Sequence, residues 1–253
     1  NGTWINAELC NLFRRHDVQI GLSIDGPAGA NRRRIDWQGK QAFERIMAGI
    51  ACLKKHELEF RTIAVVSRDS LNHAGELYTF FRELGCNFLG INVEEKIGAH
   101  LNTLVEKSLV VRFWDDFAQE WCNDPSLEIR EFTDALYWMN AVVEGNLPME
   151  AKFDIFPSIS WNGDVVLLSP ELLDATTETY GSFIVGNILR EDLRNIIVRG
   201  KNAPYVADYL RGVERCRENC QYFSYCRGGQ AANKIFELGT ADGAETDFCR
   251  NSK

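Results

Sequence analysis

The chain has 253 residues, 45% hydrophobic and 25% charged, with a formal net charge of −8. That composition is globular and long enough for one or two well-cored domains, while the acidic balance excludes non-specific nucleic-acid binding, which rests on neutralised phosphates. No apolar run reaches the length of a membrane span and no signal peptide opens the chain, so a cytoplasmic, reducing compartment is expected.

A first helix is expected from Asn6 to His16, with Leu9, Leu12 and Phe13 on one face. Ile20, Leu22 and Ile24 alternate in a short strand that stops at Asp25-Gly26-Pro27, a turn sequence. After a polar loop holding Arg32, Arg33 and Arg34, a second helix runs from Lys40 to His56 on Phe43, Ile46, Met47, Ile50 and Leu53. A strand over Phe60–Val66, a helix over Asn72–Leu84 with Gly85 at its C-cap, and a strand over Phe88–Val93 complete the rhythm. Strands joined by single helices are parallel and their crossovers right-handed. The fold class is therefore α/β, a partial (β/α) barrel. Three strands leave such a sheet with a bare edge. Together with a start at Asn1 rather than Met, this leads to the expectation of a chain truncated at its N-terminus. Ile20, Leu22, Ile24, Ile63 and Val65 would then belong to an unprotected inner layer, a route to self-association.

Residues Leu101–Glu144 read as helical, and their aromatic stripe (Phe113, Trp114, Phe117, Trp121, Tyr137, Trp138) reads as core. Pro148 ends that region. Two short apolar runs, Phe153–Ile159 and Val165–Leu168, flank Asn162-Gly163, a hairpin signal. Short helices follow near Glu191–Arg199 and Ala203–Leu210. Two domains are expected, 1–145 and 146–253.

The stretch with chemistry in it is CRENCQYFSYCRGG, with a later FCR. It places Cys216, Cys220 and Cys226 at spacings of three and five intervening residues and returns a fourth thiol at Cys249. Four sulfur ligands suit an iron–sulfur cluster or tetrahedral zinc. Zinc sites more often show Cys-x2-Cys or Cys-x4-Cys knuckles, and neither spacing occurs. Disulfides would need an oxidising compartment. A cluster is the first reading, with zinc and disulfides as the alternatives. Cys10, Cys52, Cys86 and Cys122 stand apart on helix or strand patterns and read as small buried hydrophobes. His16, His56, His73 and His100 show no paired spacing and take no role.

Several of these stretches resemble a known family. Asn1-Gly2-Thr3, Ser23-Ile24-Asp25-Gly26-Pro27 and Gln41-Ala42-Phe43 through Lys54-Lys55-His56 resemble the middle of a radical S-adenosylmethionine (SAM) enzyme barrel. The cysteine-rich tail resembles a SPASM domain, the auxiliary-cluster domain of peptide-modifying radical SAM enzymes. Ser169-Pro170-Glu171-Leu172-Leu173, Gly228-Gly229 and Asn233-Lys234 are similar to the maturases of glycine-rich precursor peptides (the GRRM system type), which install cyclophane cross-links. The resemblance implies a partial radical SAM barrel with trailing helices, followed by a SPASM-like domain. It implies an enzyme that cross-links side chains of a ribosomally made precursor peptide, fed by an electron donor such as flavodoxin or ferredoxin. SAM and a second 4Fe–4S cluster would belong to the complete enzyme, whose chemistry starts from a deoxyadenosyl radical.

The resemblance assigns one auxiliary 4Fe–4S cluster to Cys216, Cys220, Cys226 and Cys249, for electron transfer or structural support. It implies that the serine side of Ser23-Ile24-Asp25 helps hold SAM, at a strand C-terminus where (β/α) barrels build their active sites. For cofactor binding Asn1 joins Ser23 and Asp25 from a similar strand end, and Arg34 offers a two-pronged guanidinium fork to the SAM carboxylate or to peptide carbonyls. Against this, Asp25-Gly26-Pro27 alone makes a turn and Arg34 alone is a loop cation. Glu171 sits where related enzymes place a substrate-contacting acid. Two departures bound the transfer. The Cys-x3-Cys-x2-Cys loop that radical SAM chemistry needs is missing, since Cys216-x3-Cys220 is followed by Phe223 at the third position. The chain is thus expected not to cleave SAM. The positions for a second auxiliary cluster hold Leu168 and Gln230, so one cluster is expected. The alternatives are a sulfatase-type or other radical SAM maturase, and a non-enzymatic zinc protein that docks a peptide.

Overall fold

The computed structural model describes residues 1–94, 105–147 and 155–251. Pro148, Phe153, His100 and the start of the expected Leu101–Glu144 helix lie outside the described residues. The chain forms two compact units, one of Asn1–Glu94 with Val105–Met139, the other taking in Asn140–Lys253. No described helix is long and apolar enough to cross a membrane.

The first unit is built on β1 (Gly21–Ser23), β2 (Arg61–Val66), β3 (Phe88–Val93) and β4 (Glu128–Ile129), hydrogen-bonded in that order. All three pairings are parallel, with Gly21 against Arg61, Arg61 against Phe88, and Phe88 against Glu128. The helices α1 (Ala7–Arg15), α2 (Phe43–Lys55) and α3 (Ala74–Leu84) fall where the apolar spacing places them. Asn6 caps α1 by accepting from the Leu9 N–H, and Gly85 ends α3 at φ 70°, a left-handed conformation that glycine adopts without strain. The expected long helix is instead α4 (Lys107–Asn123) and α5 (Arg130–Val143), with β4 between them.

One face of this sheet is oil. Leu22, Ala64, Val66, Leu89, Ile91 and Ile129 join Ile46, Ile50, Leu53, Leu77, Phe81, Phe113 and Phe117 in a single buried cluster. Phe113, Trp114, Phe117, Trp121 and Phe132 touch ring to ring, from 5.2 to 6.3 Å between centroids, as an aromatic core does. Tyr137, read as part of that core, is 75% exposed. The inner-layer expectation is also corrected. Ile20, Leu22 and Ile24 are at most 8% exposed, because their alternation points them into the helix-covered core. Only Ile63 and Val65 fall on the opposite face, where Val65 is 39% exposed.

In the second unit β5 (Ser158–Ile159) and β6 (Asp164–Val166) form the antiparallel hairpin expected around Asn162-Gly163, and β9 (Gly186–Asn187) pairs with β6. Gly163 stands at φ 87°, and an added Cβ would lie 2.8 Å from Asn187 and Leu189 side-chain atoms. A two-stranded ribbon, β7 (Thr176–Thr177) and β8 (Gly181–Ser182), precedes the helical tail. The tail comprises α6 (Leu193–Gly200), α7 (Pro204–Asn219), α8 (Phe223–Cys226), α9 (Ala231–Leu238) and α10 (Asp247–Asn251). Pro204 starts α7 at a position whose N–H is unpaired in any helix. This helix runs well past the expected end at Leu210 and carries Cys216 in its last turn. Its buried face is Tyr205, Val206, Tyr209, Gly212, Val213 and Cys216, three or four residues apart. Gly212 lets the chain at Ala241–Asp242 lie directly on the helix, where a Cβ would meet the Ala241 carbonyl oxygen at 2.6 Å.

Candidate metal centre

Each tail thiol is placed by its own local device. Cys216 is 4% exposed on the apolar face of α7. Cys220 is the C-cap of the same helix and returns its N–H to the Cys216 carbonyl at 2.9 Å, so the two residues are one turn apart. Cys226 ends α8, after which Arg227, Gly228 and Gly229 all take positive φ (55°, 121° and 70°) and reverse the chain. Gly229 passes close to Cys249, its virtual Cβ 3.8 Å from that sulfur. Cys249 lies in α10, whose start is held twice: Thr246 Oγ1 accepts from the Cys249 N–H at 3.0 Å, and Glu237 accepts from the Asp247 and Phe248 N–H groups.

The electrostatics tie three of these sulfurs together. Burial pushes the Cys216 thiol up, Lys234 opposes it, and the Cys249 and Cys226 sulfurs add to the rise. Tyr209 is pushed up to about 12, by burial first and then by Cys216 and Cys226. Lys234 is 1% exposed, and its ammonium sits 3.6 Å from Cys216 Sγ and 5.4 Å from the Tyr209 ring centroid. Among the described residues no carboxylate pairs with it. An isolated buried ammonium costs several kcal/mol, roughly the Born penalty left after relaxation. Thiolates held on a metal beside it would supply the counter-charge that offsets this. Tyr209 in turn donates to the Gly229 carbonyl at 2.7 Å and fixes the turn that follows Cys226.

The donor set fits an iron–sulfur cluster. Tetrahedral zinc with Zn–S bonds of about 2.3 Å needs thiolates about 3.8 Å apart. Among the described residues, no three of the tail sulfurs lie within 4.8 Å of one another. A cubane carries one thiolate on each of four irons and spreads its ligands accordingly.

The strand-end residues form a separate group in the first unit. Asp25 is 7% exposed, and its carboxylate accepts from Arg34 Nε at 2.7 Å, from the Arg34 terminal amine at 2.6 Å and from the Val65 N–H at 2.9 Å. Arg34 therefore turns its fork inward to Asp25; the loop cation of the sequence reading is a structural pin. Asn31, fully buried, accepts from the Asp25 N–H at 2.9 Å and donates to the Gly26 and Pro27 carbonyls, which locks the Asp-Gly-Pro turn. Ser23 is half-buried on β1 opposite Ile63. Asn1 is exposed, and its side chain accepts from the Thr3 N–H and hydroxyl. Glu171 is exposed in the middle of the 3-10 turn Pro170–Leu172 and accepts from the Ser169 hydroxyl, which does not make it a buried base. A second polar cluster escaped the sequence reading. Arg130 donates to the Ile91 carbonyl at 3.1 Å and to Asn92 Oδ1 at 2.8 Å, lying over Gly90, while Glu131 accepts from the Ile91 N–H at 3.1 Å.

No protein-family model matches the chain. The serine-type anaerobic sulfatase-maturating enzyme of Bacteroides thetaiotaomicron is 34% identical over 266 residues, covering 96% of this chain and 62% of its own length. A cysteine-type anaerobic sulfatase-maturating enzyme of Clostridium novyi is 24% identical over 268 residues, covering 100% of this chain and 68% of its own. The chain is thus similar in sequence to anaerobic sulfatase-maturating enzymes over nearly all of its own length. An uncharacterized protein of Synechocystis sp., sll1766, is 32% identical over 259 residues, covering 99% of this chain and 64% of its own. The chain thus spans 62 to 68% of the length of these relatives. Among solved structures, anSMEcpe with bound AdoMet superposes at a TM-score of 0.73 and 21% identity, covering 100% of this chain and 66% of that one. Streptococcus suis SuiB bound to precursor peptide SuiA superposes at 0.61 and 14% identity, covering 98% and 57%. The chain has the fold of these radical SAM/SPASM structures, a partial (β/α) core with an auxiliary domain.

Proposed function

We propose that this chain is part of a radical SAM/SPASM maturase acting on a peptide, and that its second unit carries one auxiliary 4Fe–4S cluster on Cys216, Cys220, Cys226 and Cys249. The observation that carries this reading is Lys234, an ammonium buried against Cys216 with no carboxylate partner among the described residues. Four thiolates would saturate the cluster, which would supply an electron path and local rigidity. Cys216 and Cys220 hold it from the end of α7, and Cys226 and Cys249 from α8 and α10. A one-electron carrier such as a flavodoxin or ferredoxin is the proposed donor. SAM and a second 4Fe–4S cluster are proposed for the complete enzyme, with Ser23 and Asn1 toward SAM and Asp25–Arg34 framing the strand end. Side-chain cross-linking of a precursor peptide is the favoured reaction, resting on the Ser169–Leu173 and Asn233-Lys234 stretches. Homology to the sulfatase-maturating enzymes favours a second reading, a sulfatase-type peptide substrate.

Anaerobic reconstitution tests the first step. About four irons and four sulfides per chain are expected, with a broad absorption near about 400 nm. Tight zinc without sulfide overturns it. Lys234→Met should keep the iron and lower the reduction potential, because a positive charge at a ligand sulfur favours the electron-rich state. Voltammetry of the two proteins measures this, and an unchanged potential removes the assigned role. The sequence also holds no Cys-x3-Cys-x2-Cys. Incubated alone with SAM and a strong reductant, the chain should give no more 5′-deoxyadenosine than a protein-free control; chromatography of the quenched mixture decides.

A further inference from the structure

The three side chains that do come within 4.8 Å of one another are Cys10, Cys52 and His56, and neither the homology nor the tail chemistry accounts for them. Cys10 is fully buried on α1, while Cys52 and His56 are half-buried one turn apart at the end of α2. Cys10 Sγ lies 3.6 Å from Cys52 Sγ, and Cys52 Sγ lies 3.8 Å from His56 Nδ1. The helix pair that brings them together is otherwise apolar at this level, with Ile46, Ile50 and Leu53 in the same core.

We propose that Cys10, Cys52 and His56 form a second metal site, for a thiophilic divalent ion such as zinc, with its fourth position left to an exogenous ligand. Tetrahedral zinc with Zn–S near 2.3 Å and Zn–N near 2.0–2.1 Å sets sulfur–sulfur edges of about 3.8 Å and sulfur–nitrogen edges of about 3.5 Å. The observed 3.6 and 3.8 Å lie close to those edges, and all three ligand atoms stand within 4.8 Å of one another. On binding, each thiol releases one proton to solvent and the imidazole stays neutral, so the ion's two positive charges meet two thiolates. A neutral assembly suits a buried position. His56 Nδ1 exchanges its 2.9 Å contact with the Cys52 carbonyl for the metal, and that carbonyl keeps the His56 backbone N–H at 3.2 Å. Arg14, which donates to the His56 carbonyl, fixes the end of α2 that presents the imidazole. Three protein ligands with one open position is the arrangement of a reactive rather than a purely structural zinc. This inference does not rest on the tail cluster.

The experiment uses the full chain with its tail cluster reconstituted, so that the tail thiols are occupied. Zinc per chain and its affinity are measured by elemental analysis and by competition with a chromophoric chelator, for the wild type, Cys52→Ser and His56→Gln. One zinc beyond the iron is expected. Losing an orienting partner of a metal ligand weakens binding by about 10–100-fold, and losing the ligand itself should cost at least as much. Iron content should not change. Cobalt(II) added to wild type and to His56→Gln provides a second reading that does not need Cys52→Ser to fold: tetrahedral d–d bands should appear in the wild type and weaken in the variant. No bound zinc, equal zinc affinity in all three proteins, or a Cys10–Cys52 disulfide in the metal-free chain under reducing conditions would each overturn the site.

Discussion

Cys216→Ser should yield a chain with almost no iron and a second unit that no longer unfolds cooperatively. Cys216 is 4% exposed, packs in the same core as Tyr205, Tyr209, Val213, Phe223 and Ile235, and faces the ammonium of Lys234. On the proposed assignment the substitution removes a ligand and leaves that buried charge without its counter-charge. The free energy of metal binding is folding free energy where the site does not exist in the unfolded chain. Both losses therefore fall on the same unit. Cys220→Ser should also lose iron but disturb folding less, since Cys220 is half-exposed at a helix end. Cys122→Ser, at an exposed position on α4, should match the wild type. Iron and sulfide assays with limited proteolysis separate the three. Wild-type iron in Cys216→Ser would dismiss it as a ligand.

Asp25→Ala should lower the stability of the first unit by about 3 kcal/mol, a fall in Tm on the order of 10 °C. Three donors lose their acceptor at once: two of Arg34 and the Val65 N–H. Breaking a buried pair from one side costs about 3–5 kcal/mol, and the Arg34 side chain, 23% exposed, recovers part of that in water. Arg34→Ala should cost less, because Asp25 keeps the Val65 N–H. The double variant should be more stable than the two single losses added together, since neither then strands the other's charge. Thermal unfolding of the four proteins measures the coupling. A change within about 0.5 kcal/mol for Asp25→Ala would mean the pair holds nothing in place.

Much of this was legible in the residues and some was not, for physical reasons. The alternation of Ile20, Leu22 and Ile24 and the helical spacing from Phe43 to Leu53 predicted elements that the structure contains. Those patterns are long enough to declare a period. β4 is two residues, Glu128–Ile129, and no periodicity shows in two residues, so it vanished into an aromatic run. The end of α7 was placed at Leu210 although the helix reaches Asn219. Gly212 weakens local helix propensity at that point, and the burial of Val213 and Cys216 in the core carries the helix past it. Pairings across the chain were harder. The four tail cysteines drew notice by being close in sequence, whereas Cys10 and Cys52 sit 42 residues apart on separate helices. Arg34 carries no sign in the sequence that Asp25, nine residues earlier, is its partner. Lys234 likewise carries no sign in the sequence that Tyr209 and Cys216 stand beside its ammonium.

The order β1-β2-β3-β4, with every strand paired to the one made just before it, bears on assembly. Each strand finds a finished edge on which to dock as soon as its own helix has turned the chain back. The loops to be closed are thus single crossovers, and none grows with the length of the sheet. Parallel pairing is usually slow because distant segments must meet before contacts reward them. Here growth can follow the direction of synthesis, one strand and one helix at a time.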